Sequence, residues 1–187
     1  MKIIRTSLEE VLIVEPGTYE DSRGYFLETY QHIRYRDSGI TARFVQDNLS
    51  FSRKGVLRGL HYQYPHAQDK LVQVISGEIF DVAVDIRRGS PTYGQWTSAQ
   101  LSDKNHRQLF VPVGFAHGFL VLSETAYVLY KCSDYYSPES EGGILWSDPD
   151  LAIHWPVSIP LVSPKDSSSA FLRDIPRNRL PSFTKRA

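Results

Sequence analysis

The run Ile79-Phe80-Asp81-Val82-Ala83-Val84-Asp85-Ile86 constrains the fold of this chain more than any other stretch, because its apolar residues repeat every second position. Phe80, Val82, Val84 and Ile86 share one parity, and Ile79, Asp81, Ala83 and Asp85 share the other. That is the pattern of a half-buried strand, not of a helix. Similar stretches recur at residues 10–15, 25–30, 43–53, 56–63, 70–76, 95–101, 107–111, 117–122 and 126–133. Turn signals such as Pro16-Gly17, Ser76-Gly77, Arg88-Gly89-Ser90-Pro91 and Pro112-Val113-Gly114 separate them. Many short strands at this spacing predict a mainly β fold, a sandwich or a barrel. A short helix is expected over 31–38. The tail from about residue 147 is rich in Pro, Ser and Asp. Trp146, Leu151, Ile153, Trp155, Ile159, Leu161, Phe171 and Leu172 nevertheless give it apolar anchors, so it should pack back onto the barrel.

A chain of 187 residues with no internal repeat and no long linker is expected to form a single domain, 1–187, with a substantial core. Lys plus Arg number 21 and Asp plus Glu number 21, so the balance of charge supports neither a nucleic-acid nor a membrane partner. Any anion must be bound by a specific site. Cys132 is the single cysteine, which excludes an internal disulfide and suits a reducing compartment. Arg5, Glu9 and Glu10 interrupt the apolar residues at the start, and no apolar run approaches the roughly 20 residues of a membrane span. A soluble, cytoplasmic protein is expected.

Two segments carry a metal-site pattern with the wrong residues in it. Gly55-Val56-Leu57-Arg58-Gly59-Leu60-His61, with Lys70 ahead of Gly77, and Pro112-Val113-Gly114-Phe115-Ala116-His117 together resemble the two motifs of the cupin superfamily. Metal-binding cupins supply His-x-His and a glutamate from the first motif and a further histidine from the second. Here Gln63 stands at the second histidine and Lys70 at the glutamate. An ammonium repels a divalent cation, so a pocket lined this way suits an anion, such as a transient enolate, better than a metal.

Other residue types point to acid–base chemistry. Asp166 in Ser163-Pro164-Lys165-Asp166 is a downstream carboxylate able to orient an imidazole; its ordinary use would be a helix cap ahead of Ser167 to Phe171. Lys70 shares strand parity with Val72 and Val74, which aims it into the barrel unless it sits at the strand's exposed start. Tyr130 shares parity with Val128 and Cys132, and is either a core tyrosine or a proton donor across a pocket from a base. Arg23, Arg58 and Lys165 are candidate anion ligands, and singly each reads as a surface charge. Arg58 has the opposite parity from His61, so both face one pocket only if Gly59 permits a bulge. Tyr135 and Tyr136 offer an aromatic plane for a base or sugar, and Gln46 and Asn48 share parity and could bond a base edge.

Over nearly the whole chain these segments resemble the dTDP-4-dehydrorhamnose 3,5-epimerase family: DSRGYFLETY, FVQDNLSFSRKGVLRGLHYQ, KLVQVISGEIFDVAVDIRRGSPTYGQW, the long block from FVPVGFAHGF to LAIHWP, and SPKD. The resemblance implies a cupin-type (jelly-roll) β-barrel with short peripheral helices, forming a homodimer without metal or redox cofactor. It implies a dTDP-sugar substrate, dTDP-4-dehydro-6-deoxy-D-glucose, epimerised to dTDP-4-dehydro-6-deoxy-L-mannose on the way to dTDP-L-rhamnose. It assigns His61 as base, Asp166 as its partner, Tyr130 as proton donor and Lys70 as the cation near the keto oxygen. Arg23, Phe26, Glu28, Gln46, Asn48, Arg58, His117, Glu141 and Lys165 become substrate-binding positions, and Tyr136 the ring that stacks on thymine. The segment holding Arg23 and Glu28 would be placed to reach the neighbouring subunit's pocket. Rival readings are a metal-dependent cupin, opposed by Gln63 and Lys70, a sugar-nucleotide-binding module without catalysis, and an epimerase acting at one carbon only.

Overall fold

Strands with two contrasting faces need two surfaces to bury them, and this chain supplies both by opposing two antiparallel sheets. The computed structural model describes residues 1–184. Its strands in chain order are β1 (Lys2–Arg5), β2 (Leu12–Glu15), β3 (Thr18–Asp21), β4 (Gly24–Leu27), β5 (Gln46–Arg53), β6 (Leu57–Gln63) and β7 (Lys70–Ser76). β8 (Glu78–Asp85), β9 (Trp96–Ser102), β10 (Gln108–Val111), β11 (Phe115–Val121), β12 (Thr125–Cys132) and β13 (Glu141–Gly143) follow. Helix α1 spans His32–Asp37, as expected, and α2 spans Pro164–Ser167. One sheet has the order β1-β2-β10-β7-β12-β5, the other β13-β6-β11-β8-β9, and β3 and β4 form a separate hairpin. β1, β3 and β13 were not anticipated; each has only three or four residues, too few for an alternation to show.

Both sheets contribute to the core between them. Val72 and Val74 of β7, Leu109 of β10 and Val128 of β12 meet Ile79 and Ala83 of β8, Leu101 of β9 and Phe119 of β11. Each Val, Leu, Ile or Phe among them stabilises the fold by roughly 1.5–3 kcal/mol when fully buried. β8 departs from the half-buried expectation, since every residue from Ile79 to Asp85 except Phe80 is buried. Its Ile79, Asp81 and Ala83 parity faces the barrel interior, and its other face is roofed by the C-terminal tail. Val82, Val84 and Ile86 pack there with Ile144, Leu151, Leu172 and Leu180, and Trp155 meets Phe80 edge-on at 5.8 Å. The tail therefore docks as its anchors predict, except that Ile159 and Leu161 remain exposed.

The outer face of the larger sheet is covered at one end only. Tyr35 of α1 is buried with Val14, Leu71 and Phe110, and its hydroxyl donates to Gln108 Oε1 at 2.8 Å. Gln31 caps the helix by accepting from the Arg34 N–H. Farther along the same face Leu49, Phe51, Ile75 and Tyr127 stay exposed. Among the described residues no helix is long and apolar enough to cross a membrane.

Candidate active site

β6 carries the first functional side chain. Leu60 and Tyr62 point outward into the cluster beneath the tail, which turns His61 and Gln63 into the barrel. The register with β11 shifts between the His117–His61 and Phe119–Arg58 pairs, a bulge of the kind Arg58 requires. Gly59 sits in it at φ +129, where a Cβ would lie 2.5 Å from the Gly118 Cα. The bulge lets the Arg58 guanidinium reach the inner face of the neighbouring sheet, where its Nε donates to Ser52 Oγ at 2.9 Å.

Asp166 arrives from α2. Ser163, not Asp166, is the N-cap: the Ser163 hydroxyl accepts from the Asp166 N–H at 3.0 Å, and Pro164 occupies the first turn. The ordinary use of Asp166 as a cap is thus taken by Ser163, which leaves its carboxylate free. Oδ1 lies 2.8 Å from His61 Nε2, and Oδ2 accepts from the Gly59 N–H at 3.2 Å. Burial alone would push the Asp166 carboxyl up, but the bonds and charge from His61, together with Gly59 and Ser163, outweigh it and hold the carboxyl below its ordinary range. An ionised carboxylate can only accept, so Nε2 carries the hydrogen and Nδ1 is left with the lone pair.

The opposite wall belongs to the other sheet. β12 lies between β7 and β5, with Cys132 beside Lys70 and Gln46, and Tyr130 beside Val72 and Asn48. Lys70, Tyr130, Gln46 and Asn48 thus occupy two adjacent rows of one face and line the cleft that also holds His61. Burial pushes the Lys70 ammonium down, opposed by Cys132, Asp81 and Glu141. Burial pushes the Tyr130 phenol up, with the Arg58 charge acting against it.

At the rim, Glu141 on β13 accepts from the Tyr136 hydroxyl at 2.8 Å and pairs with Lys165 at 2.5 Å. Burial raises the Glu141 carboxyl, and the bonds from Lys165 and Tyr136 bring it below its usual value. Tyr136 itself is pushed up by that hydrogen bond.

Several expected residues lie elsewhere in the single chain. His117 stands opposite His61 in the register but is buried behind the cleft, its Nε2 2.5 Å from Asp81 Oδ1. Arg23 pairs with Asp21 on the exposed β3–β4 hairpin, Phe26 is exposed on the same hairpin, and Glu28 pairs with Arg34. None of these three lines the cleft. Sequence reasoning missed Tyr62 and Gln68 in the lining and the fully buried Asp81 beside His117. Asp81 had a signal, since it shares parity with Ile79 and Ala83, the face that proves to be interior. Gln68 had none, as it lies in the loop between β6 and β7. Among the described residues no three His, Cys, Asp or Glu side chains converge as metal ligands would.

Comparison with known proteins places this geometry. A sequence profile for dTDP-4-dehydrorhamnose 3,5-epimerase matches residues 5–174. The chain is 52% identical over 178 residues to the dTDP-4-dehydrorhamnose 3,5-epimerase of Methanothermobacter thermautotrophicus, covering 94% of this chain and 96% of the relative. A crystal structure of the 3,5-epimerase from Legionella pneumophila, in complex with dTDP-4-keto-L-rhamnose, superposes with a TM-score of 0.96 at 55% identity, covering 98% of each chain. The dTDP-4-dehydrorhamnose 3-epimerase of Streptomyces niveus is 39% identical over 176 residues, covering 93% of this chain and 85% of the relative.

Proposed function

Because the chain belongs to the dTDP-4-dehydrorhamnose 3,5-epimerase family, an isomerase family with a cupin-type β-barrel, we propose that it converts dTDP-4-dehydro-6-deoxy-D-glucose to dTDP-4-dehydro-6-deoxy-L-mannose. The observation that carries this reading is the His61–Asp166 pair on one wall of a cleft whose other wall presents Lys70 and Tyr130.

The substrate's 4-keto group acidifies the protons on carbons 3 and 5, since either carbanion delocalises onto the same oxygen. His61 Nδ1 takes the proton, and Asp166 stabilises the imidazolium that forms. The Lys70 ammonium sits beside the developing oxyanion and lowers the barrier to forming the enolate. Tyr130 returns a proton from the opposite side, which inverts the centre, and both groups exchange their protons with solvent before the second carbon reacts. Neither electrons nor a metal are needed for these steps. Gln46, Asn48 and Arg58 fix the sugar and nucleotide, with His117 held by Asp81 behind the cleft, Glu141 and Lys165 hold the rim, and Tyr136 stacks on thymine.

The second half of the site comes from a second copy. The exposed row Leu49, Phe51, Ile75 and Tyr127 is a ready surface for a homodimer, and the β3–β4 hairpin then delivers Arg23, Phe26 and Glu28 to the neighbour's cleft. Residues 1–187 form a single domain in this reading. Cys132 is free and buried, in keeping with the cytoplasm as compartment.

The test is incubation with the dTDP-4-keto sugar in deuterated water, with label at carbons 3 and 5 followed by NMR. Label at both carbons is expected. Label at carbon 3 alone would replace this reading with the single-centre activity named for the Streptomyces niveus relative.

A further inference from the structure

Tyr136 is 53% exposed and lies on a segment, 135–137, without regular secondary structure. A ring that is to meet a planar base needs a fixed height and tilt, and nothing in an irregular surface segment provides that by itself. Here the ring's hydroxyl donates to Glu141 at 2.8 Å, and three glutamines fix the backbone that carries it. Gln68 donates to the Asp134 carbonyl at 2.8 Å. Gln63 donates to the Tyr135 carbonyl at 3.3 Å and accepts from the Ser137 N–H at 2.9 Å. Gln46 accepts from the Tyr136 N–H at 3.0 Å. Consecutive backbone groups on both sides of the ring are thereby tied to the floor of the cleft, which all three glutamines line.

Gln63 is the centre of this arrangement. It is 9% exposed, ends β6 on the face that carries His61, and also donates to the His66 carbonyl at 2.8 Å, joining the loop that bears Gln68 to the segment that bears Tyr136. A primary amide is suited to the position because it offers two donors and an acceptor at once. A carboxylate would only accept, and a neutral imidazole donates once. The residue that breaks the His-x-His pattern of the barrel thus has a structural task of its own.

We propose that Gln63 and Gln68 are positioning residues for nucleotide binding, which set the Tyr136 ring by clamping the backbone of residues 134–137. The proposal rests on the reading of Tyr136 as the thymine platform. It predicts a defect in binding the nucleotide with little effect on the proton transfers.

The test measures KM and kcat with the dTDP-sugar, and the affinities for dTDP and for inorganic pyrophosphate. Gln63→Met is expected to raise KM and the dTDP Kd roughly five- to twentyfold, from the loss of up to three modest hydrogen bonds, while kcat moves less than about threefold. Pyrophosphate affinity should not change. Gln63→Glu keeps the acceptor for Ser137 and should fall between, and Gln68→Met, which loses a single bond, should show a smaller effect of the same kind should Gln63→Met fail to fold. In a Tyr136→Ala background Gln63→Met should add less than about twofold, because the ring it positions is gone. The clamp is overturned if Tyr136→Ala weakens dTDP binding while Gln63→Met and Gln68→Met do not, or if the Gln63 and Tyr136 effects multiply independently. If Tyr136→Ala itself leaves the dTDP Kd unchanged, the stacking reading beneath the proposal fails instead.

Discussion

His61 and Arg23 are held in opposite ways. His61 is fixed between its strand and a buried carboxylate that bonds the Gly59 backbone as well, in a cleft to which both sheets contribute. Arg23 projects from a hairpin with 87% of its side chain exposed and is paired with Asp21 two residues away. An exposed pair of that kind contributes little to stability and positions nothing. The difference separates a part of the site that one chain finishes by itself from a part that gains meaning only when something else covers it. It also predicts two kinds of defect, in kcat for the cleft and in KM for the hairpin.

The largest effect should come from the cleft. His61→Ala is expected to lower exchange at both carbons by roughly 10³- to 10⁴-fold, at the upper end of what general-base catalysis contributes. Tyr130→Phe should abolish net inversion while leaving deuterium exchange well above the His61→Ala level, since abstraction by His61 survives. Equal exchange rates in the two variants would show that base and acid have been assigned wrongly.

The hairpin should give a smaller effect of the other kind. Arg23→Ala is expected to raise KM about tenfold, the loss of one charge-assisted contact to phosphate, with kcat little changed. Mixing Arg23→Ala with His61→Ala subunits sharpens the contrast. If the hairpin serves the neighbour's cleft, each hybrid dimer holds one cleft with an intact His61 and an intact Arg23, and kcat/KM rises above either parent. No recovery, with subunit exchange verified by mass spectrometry, would place Arg23 in its own chain's cleft or nowhere.

The smallest effect is on pH dependence and stability, and Lys70 carries its alkaline side. Burial depresses its folded pKa below the ordinary lysine value of about 10.4, so the cation is lost on alkaline titration earlier than from an exposed lysine. Tyr130 is shifted up and keeps its proton through the same window. The alkaline limb of kcat/KM should therefore follow Lys70 and move upward in Lys70→Arg, while the alkaline limb of deuterium exchange, the reaction Tyr130→Phe retains, should stay in place in that variant. Between the depressed folded pKa and the unfolded value the unfolded chain binds the extra proton, so this group's contribution to stability rises with pH across that window. Lys70→Met removes a charge that the cleft partly strips of water and should raise the thermal midpoint by roughly 2–4 °C, about 1 kcal/mol for a chain of this size.

Where the sequence was legible, the signal was local. The parity of Lys70 with Val72 and Val74, and of Tyr130 with Val128 and Cys132, pointed both side chains at the interior face, with an exposed strand start the alternative for Lys70, and both line the cleft. Helix α1 and the docking of Leu151, Trp155 and Leu172 were read the same way, from spacing and apolar content. What escaped depends on pairings remote in sequence. β8 looked half-buried because the tail that roofs its outer face lies far downstream in the sequence, between Ile144 and Leu180. The bulge at Gly59 could be posed as a requirement of Arg58 and not deduced, since the close approach to Gly118 belongs to another strand. Gln68 has no pattern to betray it, because a loop has no period.

Asp166 lies 105 residues after His61. Synthesis of the chain therefore delivers the base, the cation and the phenol well before the carboxylate that orients the base, and the same late segment carries Leu172 and Leu180 onto the outer face of β8. The residue that readies His61 belongs to the same downstream segment that covers the smaller sheet, so a chain clipped ahead of Ser163 is expected to hold the site's other parts without the carboxylate that orients its proton acceptor.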